Sequence, residues 1–144
     1  MASAVKFQAF VEHVAEKVHN LGADTLKILL SNDAPSAAND AVKADLTSEL
    51  GTGNGYTSGG SAVTITASAQ SAGTYALQGS DLVFTASGGT IGPFRYAVLY
   101  NNTAGSASAR PLIGWWDYGS AVTLLSLETF KVDLDQSGGI LTIA

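Results

Sequence analysis

The chain is predicted to be mainly β with an N-terminal helix, folded as one antiparallel β-sandwich or barrel-like domain. Three observations predict this. After residue 61, short alternating runs rich in Val, Ile, Thr and aromatics recur at intervals of about 8 to 12 residues, with Gly-rich turns between them. One apolar stripe of helical period precedes them, within residues 5–21. The 144 residues are the size of a single domain, long enough to bury about 70% of the unfolded surface. No fixed-period repeat and no long linker divides the chain. The domain therefore spans 1–144, with an N-terminal helix in 1–22, a strand and loop arm in 23–50, and a β-rich core in 51–144.

In residues 5–21, Phe7, Phe10, Val11, Val14, Val18 and Leu21 recur at spacings of three and four, the period of one helix face, and Gly22 supplies a stop. Residues 25–30 alternate, with Leu26, Ile28 and Leu30 on one side, and read as a strand. The turn formers of 31–35 end it. Val42, Leu46 and Leu50 fit one side of a short helix in 40–50. From 51 to 94 the only formal charge is Asp81, and Thr, Ser, Gly and Val dominate. Strands are expected at 62–67, 74–77 and 82–86. Residues 96–100 and 112–118 flank a small polar segment and predict a long hairpin. Phe130, Val132 and Leu134 alternate with Lys131, Asp133 and Asp135, residues 136–139 turn the chain, and 140–143 return as a last strand.

Composition excludes several classes of function. Without cysteine there are no disulfides, thiolate metal sites or Cys nucleophiles. A net charge of −5 repels phosphate, which argues against direct binding to nucleic acid. No run of about 18 apolar residues exists to form a transmembrane helix. Lys6, Glu12, His13, Glu16 and Lys17 interrupt the N-terminus, so no signal peptide is expected and the chain should be made and used without export. Only 13% of residues are charged, a composition compatible with a surface that ends up against neighbours.

The candidate chemical motifs have structural explanations. Residues 133–140 imitate a calcium loop up to its glycine, yet the twelfth position is Ala144 instead of a glutamate, and strands flank it. Glu16 and His19 are three apart, as in di-iron helices, without the second such pair those sites need. His13 and His19 stand about 240° apart around a continuous helix and do not share a face; a solvated or capping role is expected. Residues 51–55 are Gly-rich, but no Lys-Ser/Thr follows and a mobile turn is expected. No serine sits in a nucleophile elbow. Asn101-Asn102-Thr103 fits a glycosylation sequon and is expected to be a loop. No catalytic, cofactor-binding or metal-binding residue is expected, and the chain is not expected to be an enzyme.

The core should centre on residues 94–130, which hold both tryptophans, three of the five tyrosines and two of the five phenylalanines. Adjacent residues of a strand point to opposite faces, so Trp115 and Trp116 cannot fill one core. Either both faces of the sheet are covered, or one indole meets a partner protein or a sugar ring. Trp115, Trp116 and Tyr118, with Arg95 and Arg110, are the residue types favoured at docking surfaces.

The order of motifs adds to this. The segments KFQAFVEHVAEKVHNLGADTLKILLSNDAP, GNGYTSGG, RYAVLYNNT, PLIGWWDYGS and ETFKVDLDQSGGILTIA together resemble small virion proteins of tailed bacteriophages over nearly the whole chain. The resemblance implies a non-enzymatic head decoration or cement protein, made in the host cytoplasm and located on the phage head. Its partners would be the major capsid protein and further copies of itself, with the first residues and the loop 31–45 as arms reaching adjacent subunits. It supplies no residue-level site. A tail or neck component, or a carbohydrate-binding tail-fibre module, is the alternative.

Overall fold

A computed structural model of the chain describes residues 4–103, 106, 108–134 and 138–144. The chain is mainly β, with one short N-terminal helix and antiparallel sheets packed together in a sandwich-like single domain. The elements in order are β1 (Val5–Lys6), α1 (Ala9–Ala15), β2 (Leu26–Ser31), a single 3-10 turn (Lys43–Asp45), β3 (Ser61–Ala62), β4 (Ile65–Ser71) and β5 (Thr74–Gly79). They continue with β6 (Leu82–Thr85), β7 (Ile91–Asn101), β8 (Leu112–Leu124), β9 (Thr129–Val132) and β10 (Leu141–Ile143). One sheet has the order β1-β8-β7-β2-β3, a second β10-β5-β4, and β6 pairs with β9.

The predicted hairpin is the centre of the large sheet. Its strands are longer than the apolar runs suggest, 11 and 13 residues, and Tyr96 to Tyr100 and Leu112 to Trp116 are all buried. Burial on both faces explains why these stretches read as continuous apolar runs without alternation. On one face Ile28, Leu30, Ala97, Leu99, Ile113 and Trp116 join the larger core with residues of α1 and the smaller sheets. On the other face Leu29, Tyr96, Val98, Tyr100, Leu112 and Trp115 form a second core with Phe7. Leu99 pairs with Gly114 and Tyr100 with Leu112, so Ile113 is an extra residue that shifts the register.

The N-terminal segment departs from the sequence expectation. Val5 and Lys6 pair with Trp115 and Gly114 as an edge strand, and Phe7 then plugs the second core, 4.6 Å from the Trp115 ring. Gly114 permits this approach, because a Cβ there would lie 2.9 Å from the Val5 carbonyl oxygen. The helix covers only Ala9–Ala15. Lys17 takes a left-handed φ of 68°, Val18 N donates to His13 O and Lys17 N to Val14 O, which is the Schellman pattern of helix termination. Val11 and Val18 of the predicted stripe are exposed.

Residues 31–50 pack on the domain's own large sheet. They fold back over the outer face of the large sheet, with bridges from Ser31 to Glu49 and from Val42 to Pro111, and place Ala37 and Leu46 against the second core. Beyond one 3-10 turn the helix expected in 40–50 does not form, because Leu46 and Leu50 go to different cores and Asp45 accepts hydrogen bonds from Ala41 N and Val42 N. The Gly-rich segment is likewise tied down. Gly53 and Tyr56 exchange backbone hydrogen bonds of 2.8 and 3.0 Å, and Gly60 passes so close to β2 that a Cβ would stand 1.8 Å from the Ile28 carbonyl oxygen.

Candidate docking surface

The five residues singled out in the sequence are distributed over the hairpin. Trp115 and Trp116 are 8% and 6% exposed on opposite faces, so both faces are covered and neither indole is presented to a partner. Arg110 lies at the 101–111 end of the hairpin, half-buried, its carbonyl accepting from Lys43 N at 2.8 Å. Arg95 and Tyr118 lie in the other half. Of the five, the two tryptophans are interior, and Tyr118 is the one that the structure leaves mostly exposed.

The half of the hairpin that holds Arg95 and Tyr118 carries a bulge. Phe94 pairs with Val122 and Tyr96 with Asp117, so β8 carries three more residues than β7 between those two pairs. Arg95 grips Asp117 in a two-pronged ion pair, Nε to Oδ1 at 2.7 Å and Nη2 to Oδ2 at 2.9 Å, and its guanidinium lies 5.4 Å from the Tyr96 ring centre. Asp117 Oδ1 also accepts from Gly119 N at 2.8 Å. The Arg95 hydrogen bonds first, then the Gly119 amide, hold the Asp117 carboxyl below its usual range. Tyr118 is thrown outward, 55% exposed, and meets Phe130 edge-on at 5.5 Å; Phe130 in turn meets Phe94 edge-on at 4.9 Å. An aromatic ladder thus runs from solvent into the core.

The turn leading into β9 adds two leucines that sequence reading passed over. Leu125 and Leu127 are 59% and 82% exposed, and Leu127 has a φ of 77°. The backbone is fixed by three hydrogen bonds: Leu125 N to Glu128 Oε2, Glu128 N to Leu125 O, and Leu127 N to Ala86 O. Side chains this exposed add little burial to the fold. The only sequence signal of Leu127 is its place between Ser126 and Glu128 in a turn-length gap between strands.

A second polar centre holds the loops. Glu49 Oε2 accepts from Lys43 Nζ at 2.7 Å, while Oε1 accepts from Tyr56 OH at 3.1 Å and from Gly59 N. Tyr56 OH accepts from Leu30 N, and Tyr100 OH donates to Gly59 O at 2.6 Å. Burial pushes both phenols up, Tyr100 to about 12, so both remain donors at neutral pH. This cluster ties residues 43–60 to β2 and β7.

The histidines also come together differently from the expectation. With the helix ended early, His13 and His19 meet edge-on with ring centres 5.9 Å apart. Asn101 Nδ2 donates to His19 Nδ1 at 3.1 Å and to Asp24 Oδ2, while Asn101 Oδ1 accepts from Thr103 N. Asn101 is therefore a buried strand end and not the loop expected of the sequon. A groove of about 410 Å³ is lined by Asp33, Asp40 and Asp45, but these carboxylates close turns within residues 31–48. Among the described residues no three His, Asp or Glu are grouped to hold a metal. Of the calcium-like loop, residues 135–137 lie outside the described residues. No protein family, no curated protein and no solved structure matches the chain.

Proposed function

We propose that the chain is a non-enzymatic structural protein of a tailed-phage particle, a head decoration protein that docks on the outer surface and clamps neighbouring major capsid subunits. The observation that carries this reading is a set of exposed apolar side chains on hydrogen-bonded backbone, in the bulge of β8 and in the turn that follows it. Tyr118, Leu125 and Leu127 project from backbone held by hydrogen bonds and an ion pair, so little conformational entropy is lost when they are covered. The resemblance in motif order supplies the particle. A protein that cements a shell needs a rigid body and an apolar contact, and the two-core fold provides the first.

The rival saccharide-binding reading keeps Tyr118 but loses both indoles as stacking platforms, since Trp115 and Trp116 are interior. The decisive experiment compares particles made with and without the protein. Heads lacking it should release DNA at lower temperature, and its copy number should approach that of the capsid subunits. Unchanged head stability, or about a dozen copies, the number expected of a ring at the neck, overturns the decoration role.

A further inference from the structure

We infer that strand β4 (Ile65–Ser71) is a self-pairing edge, where a second copy of this chain adds its own β4 antiparallel and joins two three-stranded sheets into one of six strands. The inference rests on the edge alone and is independent of the virion reading. β4 is the outer strand of the β10-β5-β4 sheet, paired with β5 along one side only. Its one irregularity is at the start, where Ile65 pairs with Gly79 and Ala67 with Gln78, so residues 67–71 form a regular ladder edge.

Open edges of folded proteins ordinarily carry a block against strand addition: shortness, charge, proline or a bulge. Among the described residues the other open edges have one. β1 and β3 are two residues long, β10 three and β6 four; the outer stretch of β8 is broken by its bulge and that of β7 carries Pro93; β9 carries Lys131, ion-paired to Asp81 at 2.8 Å. β4 reads Ile-Thr-Ala-Ser-Ala-Gln-Ser and has none of these beyond that initial irregularity. Its residues from Ser68 onward are exposed.

The occupant follows from charge and shape. Two copies of a chain with net charge −5 repel each other, so a contact between them must avoid setting a charge against its own image. Residues 51–80 contain no formal charge at all. A two-fold axis through β4 sets neutral and mostly small side chains against their like, with no charged group to select a foreign strand. Since each copy offers one such edge, the pairing closes at two.

The test is sedimentation equilibrium of the full chain from about 1 μM to about 1 mM, with hydrogen exchange read on residues 65–71. Wild type is expected to dimerise, with β4 amide exchange slowing as the dimer fills. The A67K/A69K and A67E/A69E double variants are each expected to stay monomeric, because like charges on adjacent paired strands repel. Mixed in equal amounts they are expected to restore the dimer, a rescue that unfolded variants could not give. A wild type that stays monomeric overturns the inference, as does a dimer that survives in either double variant or a mixture that stays monomeric. Protection of β4 only on adding a different protein also overturns it, in favour of a foreign strand.

Discussion

His19 sits against Asn101, its Nδ1 accepting a hydrogen bond from the Asn101 amide at 3.1 Å, a contact that requires this nitrogen to carry no proton. Burial first, then the nearby His13, lowers its pKa to about 4, with Asp24 opposing. Between that value and the ordinary 6.5, an unfolded chain takes up a proton that the folded chain refuses, so stability falls as pH drops through this window. The contribution is complete above about pH 6.5 and lost by about pH 4. Allowing for partial exposure, the loss is about 1 to 2 kcal/mol. Urea titrations at pH 7.5 and 4.5 measure it, and His19→Gln should flatten the difference.

Phe7 is the tightest link between the N-terminal segment and the hairpin. Phe7→Ala removes a fully buried ring packed on Trp115 and should cost about 3 to 5 kcal/mol. Denaturant unfolding gives the magnitude. Tryptophan emission should shift to the red in the folded variant as Trp115 gains water.

Glu49→Ala should destabilise by about 2 to 4 kcal/mol, because Lys43, 14% exposed, loses its partner and Tyr56 OH and Gly59 N lose their acceptor. Hydrogen exchange should quicken across residues 43–60 before it does in β7. A uniform change across the chain would show that the cluster does not tie these loops down.

Leu127→Gly separates folding from docking. Relieving a leucine held at a positive φ should leave stability unchanged or raise it by about 1 kcal/mol. On the proposed function the same variant should occupy heads less fully, measured as copies per particle after competition with wild type. Full occupancy would remove the apolar turn from the docking surface.

Much of the fold was legible because period and composition agree with it. Leu26, Ile28 and Leu30 face one core as their alternation requires, and the aromatic stretch is the central hairpin. What was not legible has local causes. The helix stops at Lys17, where a lysine takes the left-handed position that glycine usually marks, so Gly22 was the misleading signal. Phe7 was absorbed into a helical stripe because it stands three residues before Phe10, although it belongs to the opposite face of the sheet from Phe10. The covering role of residues 31–50 depends on contacts with Pro111 and Arg110 far along the chain, which no window of neighbours contains. For the proposed docking surface, Tyr118 and Arg95 were named from residue type, whereas the exposure of Leu125 and Leu127 needed the turn to be seen.

The second half of β7, Tyr96 to Asn101, has a strand along each edge and side chains packed above and below. Solvent therefore reaches its amides only when the molecule as a whole comes apart, and their exchange should read out the global free energy of opening.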